Sequence, residues 1–155
     1  MFSREGNPIK ILLADDDEDD KMFFEDALKE ANPKTQLKTV DDGQQLMKYL
    51  AEVDGNHPDI IFLDINMPCK NGKECLKEIR SNKELDEVPV VMFSTSDHEK
   101  DVEETFQNGA NLYISKPVFF ADQVKVLQKI FSTNWREELL KPDKKRFVLH
   151  AGKIL

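Results

Sequence analysis

No apolar run in this sequence approaches the roughly 20 residues that a membrane-spanning helix needs. The N-terminus, Met1 to Pro8, is polar and lacks the apolar stretch of a secretory signal. These two absences set the expected compartment as the cytoplasm. Basic charge is also short: 22 lysines and arginines stand against 30 acidic residues, a formal charge of −8. Such a balance argues against broad, non-specific nucleic-acid binding. Cysteine is scarce, and Cys69 and Cys75 have neither a redox CxxC spacing nor zinc-ligand company. Both are expected to be free thiols in a reducing compartment. There is no internal repeat and no low-complexity block.

What is present is an ordinary globular composition, 39% apolar and 34% charged over 155 residues. That length suits one domain with a core large enough to fold alone. The stretch that organises the rest is Ile60-Ile61-Phe62-Leu63-Asp64-Ile65-Asn66-Met67-Pro68. Four apolar residues run straight into an aspartate, and Pro68 ends the pattern. A short apolar run bounded by turn signals reads as a buried strand. Asp64 is thus expected where a central strand leaves the core, and an acid placed there is costly unless paired.

The other segments repeat one unit. Ile9 to Ala14 reads as a strand, followed by the acidic turn Asp15-Asp16-Asp17-Glu18-Asp19-Asp20 and a helix to Ala31. Residues 36–40 form a short alternating strand, and Leu46, Met47, Leu50 and Val53 mark a second helix. After the strand at 59–63 a third helix ends near Ser81. Val88 to Phe93 is a continuous apolar strand, a polar helix covers 98–108, and Leu112-Tyr113-Ile114 is a fifth strand. Val124, Leu127, Ile130 and Phe131 mark a fifth helix. Strand–helix alternation with short loops predicts a parallel sheet covered on both faces. Residues 1–8 read as a lead-in. Residues 134–155 fall outside the repeat; they hold Trp135, the only tryptophan, a helical piece Arg136-Glu137-Glu138-Leu139-Leu140, a breaker at Pro142 and a mixed segment Phe147-Val148-Leu149-His150.

In a parallel sheet all strand C-terminal ends share one edge, where ligands and chemistry collect. Asp15 and Asp16 follow strand one, Asp64 ends strand three, Ser94 and Thr95 follow strand four, and Lys116-Pro117 follows strand five. Two unit charges about 4 Å apart repel by roughly 4 kcal/mol at an effective dielectric near 20. Neighbouring carboxylates therefore call for a proton or a cation. Oxygen ligands on a shallow site suit Mg²⁺, which keeps several waters and leaves room for a phosphoryl group. Carboxylates serve as phosphoryl acceptors, and phosphoryl transfer needs mainly positioning and charge neutralisation.

The set Asp15-Asp16, Asp64 within Leu63-Asp64-Ile65-Asn66-Met67-Pro68, Ser94 and Lys116-Pro117 resembles the receiver domain of two-component response regulators over roughly residues 8–132. The chain looks most like the stand-alone receivers with a C-terminal extension, here 133–155. The resemblance implies a flavodoxin-like three-layer sandwich: five parallel strands in the order 2-1-3-4-5 with five helices. It implies Asp64 as phosphoacceptor for a histidine kinase. Asp16, Asp64 and the Asn66 carbonyl would hold Mg²⁺, with Asp15 acting through water. Ser94 would contact the phosphoryl group while Tyr113 turns inward as its switch partner. Lys116 would pair with the phosphoryl group, and the bond before Pro117 would be cis. Output would pass to a downstream protein or a second copy through the face of helix four, strand five and helix five, with no direct DNA binding. A phosphorelay intermediate, passing phosphate on to a histidine protein, shares all these features.

Two readings from other classes fit less well. A haloacid-dehalogenase-type phosphatase wants a second carboxylate two residues after its nucleophile, and that position is Asn66. A flavodoxin-like cofactor binder wants a phosphate-cradling loop after strand one, and that loop is acidic. The expected protein is a signalling module rather than a metabolic enzyme. Asp17, Asp19 and Asp20 are expected only to favour the helix N-terminus, and Ser96 to cap the fourth helix.

Overall fold

A computed structural model describes residues 7–149 except 54 and 133. Most of the expected lead-in, Asp54 and His150 to Leu155 lie outside the described residues. The elements run β1 (Ile9–Ala14), α1 (Glu18–Ala31), β2 (Thr35–Val40), α2 (Gly43–Glu52), β3 (Ile60–Leu63), α3 (Gly72–Ser81), β4 (Val90–Ser94), α4 (Glu99–Gln107), β5 (Leu112–Ser115) and α5 (Phe120–Ile130). The extension then adds α6 (Trp135–Leu139) and β6 (Val148–Leu149). The strand order is β2-β1-β3-β4-β5-β6, and every pair is parallel. The expected 2-1-3-4-5 order holds within the first five strands. The extension supplies a sixth helix where residues 136–140 read as helical, and a sixth strand that the repeat pattern did not reveal.

Successive side chains of a strand point to opposite faces, and the apolar runs exploit both. Ile11, Leu13, Ile60, Phe62, Val91, Phe93 and Ile114 face the layer of α1 and α5. Leu12, Ala14, Ile61, Leu63, Val90, Met92 and Tyr113 face the layer of α2 and α3. Phe24 anchors α1 against Phe62 and Phe93 in edge-on contacts at 5.0 and 5.4 Å. Each such ring contributes roughly 1.5–3 kcal/mol through burial. This two-sided burial is why the central strands read as unbroken apolar runs.

Local signals set the helix starts. Asp17 accepts a hydrogen bond from Asp20 N–H, Asp42 accepts from Gln45 N–H, and Asn71 forms a reciprocal capping box with Glu74. Ser96 does not cap α4. His98 occupies that position without a side-chain cap, while the Ser96 hydroxyl, two residues earlier, donates to Asp101 and accepts from His98 N–H at 3.4 Å.

The extension is packed against the sheet. Tyr113 and Ile114 of β5 pair with Val148 and Leu149. Leu139 joins the α1/α5 side of the core, and Phe147 joins the other side. Asn111 donates to the Leu139 carbonyl at 2.8 Å, and Arg136 pairs with Asp59 at 2.9 Å. The edge of β5, part of the face expected to meet partners, is thus covered at Tyr113 and Ile114 by β6.

The two cysteines differ sharply. Cys75 is buried under α2 and donates to the Gly43 carbonyl, whereas Cys69 is exposed. Burial pushes the Cys75 thiol up to about 11, which keeps it protonated and unreactive at neutral pH. An alkylating thiol reagent applied to native protein is expected to modify Cys69 alone, with Cys75 reacting only in denaturant; mass spectrometry of the two peptides checks this.

Candidate functional site

Ladder hydrogen bonds continue one residue past the strands and bring the polar residues together. Asp15 N–H donates to the Val40 carbonyl at 3.1 Å, Asp64 N–H to Ala14 at 3.0 Å, and Lys116 N–H to Ser94 at 2.8 Å. The expected residues Asp15, Asp64, Ser94 and Lys116 therefore stand on one edge of the sheet. Asp15 and Asp64 are almost fully buried, and Asp16 is exposed. Asp15, Asp16 and Asp64 each offer a carboxylate oxygen, and these atoms lie within 4.8 Å of one another.

Lys116 is the counter-charge. Its ammonium lies 2.7 Å from Asp15 Oδ2, 2.9 Å from Asp20 Oδ2 and 3.3 Å from Asp64 Oδ2. The remaining oxygens are also engaged: Asp15 Oδ1 accepts from Asp17 N–H at 3.0 Å, and Asp64 Oδ1 from Ile65 N–H at 2.8 Å. Burial raises both carboxylates above their ordinary range, against the opposing pull of Lys116. Burial also opposes the charge on Lys116, but its carboxylate partners outweigh that and hold it firmly protonated. Three carboxylates on one ammonium, with Asp16 beside two of them, leave an excess of negative charge. The donor set, oxygens only and one side open through Asp16, fits a hard divalent cation such as Mg²⁺.

Asp20 was not among the expected site residues. It reads as one of several acids favouring the α1 N-terminus, and its backbone does bond to the Asp17 cap. Helical side chains lean toward the N-terminus of their helix. An acid in the first turn of α1 therefore reaches back over the strand ends, and that tilt was the available signal.

Ser94 is fully buried, and its hydroxyl accepts from Ser96 N–H at 3.1 Å. Tyr113 lies inside the protein, 0% exposed, and its hydroxyl donates to the Ser96 carbonyl at 2.7 Å. Asn66 sits on the exposed loop after β3. The Lys116–Pro117 bond is trans, since no cis bond occurs among the described residues. This corrects the cis expectation. A bond before proline favours trans by about 0.5–1 kcal/mol, and Lys116 makes all its contacts from the trans form.

Beside the carboxylates runs a groove of about 330 Å³, lined by Asp20, Phe23, Thr95, Lys116, Pro117 and Val118 among others. Val118, which lines it, is 84% exposed, and the next residue, Phe119, is 70% exposed. The apolar stretch Val118-Phe119-Phe120 is thus divided, because Phe120 packs edge-on against Phe23 at 5.5 Å.

A family model described as the response regulator receiver domain matches residues 11–130. The chain belongs to this family of two-component response regulator receivers. Response regulator Rcp1 of Synechocystis sp. is 34% identical over 146 residues, which cover 91% of this chain and 99% of Rcp1. The two-component response regulator ARR15 of Arabidopsis thaliana is 30% identical over 147 residues, 89% of this chain and 70% of that protein. Among solved structures, the Mn²⁺-bound form of Rcp1 superposes with a TM-score of 0.74 at 33% identity, covering 88% of this chain and 100% of that one. The phosphorylated cyanobacterial phytochrome response regulator RcpA gives 0.73 at 33% identity, covering 79% and 91%.

Gly72 sets how closely α3 approaches the site. A Cβ there would lie 2.1 Å from the Asp64 carbonyl oxygen. Gly72→Ala must push that backbone aside and is expected to cost about 1–3 kcal/mol. Thermal unfolding should show a Tm several degrees lower; an unchanged Tm would mean that the loop after β3 yields freely.

Proposed function

We propose that this chain accepts a phosphoryl group on Asp64 from a phosphohistidine of a partner kinase and signals through a phosphorylation-dependent protein interaction. The observation that carries this reading is the position of Lys116, 3.3 Å from Asp64 Oδ2, beside the clustered oxygens of Asp15, Asp16 and Asp64. In the transfer, the phosphorus–nitrogen bond of the donor breaks and a phosphorus–oxygen bond forms at Asp64 Oδ2. The bond from Ile65 N–H to Oδ1 leaves Oδ2 on the Lys116 side. Lys116 then follows the charge from the carboxylate to a phosphoryl oxygen. The Ser94 hydroxyl would donate to another of those oxygens.

Asp16, Asp64 and the Asn66 carbonyl are the residues that would hold Mg²⁺, with Asp15 reaching it through water. When bound, the cation would neutralise charge that builds up at the site. The existence of a Mn²⁺-bound form of Rcp1 lends support to a divalent cation here. The kinase is read as docking over the site, on a surface that includes the exposed Val118 and Phe119. The downstream partner is a protein rather than DNA, in keeping with the net charge of −8. We read the setting as cytoplasmic. A phosphorelay step, with Asp64 passing its phosphoryl group to a further histidine, uses the same atoms.

Asp64→Asn should abolish labelling by a small acyl-phosphate donor in Mg²⁺, read by intact-protein mass spectrometry. Label persisting on the variant would remove Asp64 as the acceptor. Asp16→Ala should weaken Mg²⁺ binding at least about tenfold, as loss of a ligand or its support commonly does. Calorimetry reads this directly, and an unchanged affinity takes Asp16 out of the ligand set.

A further inference from the structure

The extension touches the element that the phosphorylation reading makes mobile. Phe147 is 2% exposed. Its ring centroid lies 5.0 Å from Phe106 of α4 and 6.3 Å from Tyr113. Tyr113 N–H donates to the Phe147 carbonyl at 2.9 Å. The extension thus holds Tyr113 by backbone and by ring. At its other end, the Tyr113 hydroxyl donates to the Ser96 carbonyl, and Ser96 N–H donates to the Ser94 hydroxyl oxygen. The Ser96 hydroxyl is bound to Asp101, which Lys73 of α3 also holds. An unbroken line of contacts therefore runs from Phe147 through Tyr113 and Ser96 to Ser94, whose carbonyl accepts from Lys116 N–H.

We propose that Phe147 is a positioning residue for phosphoryl transfer at Asp64. By filling the space along the outer side of Tyr113, it keeps that ring inward with its hydroxyl on Ser96, and so couples docking of the C-terminal segment to the phosphorylated site. This rests on the proposed function above. Tyr113 cannot swing toward the β5 edge without displacing Phe147 or opening a void beneath it, and packed interiors resist both. Coupling of this kind is reciprocal: the factor by which a docked extension favours the phosphorylated form is the factor by which phosphorylation favours docking.

The test uses the full chain, an acyl-phosphate donor and Mg²⁺. Four proteins are compared: wild type, Phe147→Ala, Phe147→Leu and Leu28→Ala. Leu28 is buried in the α1/α5 side of the core and belongs to a different cluster from Tyr113, so its variant reports general loss of stability. Phe147→Ala is expected to shorten the lifetime of the phosphorylated form at least about threefold, within the range that residues along a coupled network produce. Phe147→Leu should recover most of it, and Leu28→Ala should leave it near wild type. In wild type, beryllofluoride should slow hydrogen exchange at the Tyr113 amide. A folded Phe147→Ala protein with the wild-type lifetime overturns the proposal, as does an equal loss in Leu28→Ala. Wild type that takes no label overturns the phosphoacceptor reading first and this one with it.

Discussion

A single ammonium shared by three carboxylates is the constraint on which the rest of this structure depends. Lys116 reaches Asp15, Asp20 and Asp64 at once. Its position requires β5 to lie beside β4, β4 beside β3, and β3 beside β1. Any slip in that register would leave carboxylates buried without a partner, at a cost that a domain of this size cannot carry. The sheet order is therefore enforced twice: by apolar packing on its two faces and by charge at its edge. The excess of negative charge that remains is what makes the edge receptive to a cation.

The layers built around this edge divide the work. The α1/α5 side is aromatic and closely interlocked through Phe24, Phe62 and Phe93. The opposite side carries the polar line from Tyr113 to Ser96 and the ion pairs of Lys73 with Asp101 and Glu104. Hydrogen bonds and ion pairs near the surface exchange partners more readily than packed rings do. A rearrangement that begins at Ser94 therefore has an easier route on the α3/α4 side than through the aromatic face.

Much of this was legible because the physics is local. Apolar runs such as Ile60 to Leu63 mark central strands wherever both faces are buried, and the acid or lysine that ends each run marks the shared edge. The peptide before Pro117 was misjudged because it was carried over from likeness rather than from anything in the residues themselves. Asp20 was hidden by its neighbours, since six acidic residues in a row look like helix capping, and only the backward tilt of a helical side chain separates one from another. The sixth strand was hidden for a different reason. Val148 and Leu149 make too short a run, directly after Phe147 and the charged Lys144-Lys145-Arg146, and their pairing depends on β5, more than thirty residues away.

That short strand also bears on solubility. An unpaired strand edge is a template on which other chains can assemble. At the β2 end the sheet presents Gln36 and Lys38 among partly exposed positions, a polar border that discourages such pairing. At the other end β6, two residues long among the described residues, masks part of the longer edge of β5. A chain cut before Phe147 would uncover that apolar strand along its whole length and would be expected to aggregate, whatever the state of the carboxylate edge.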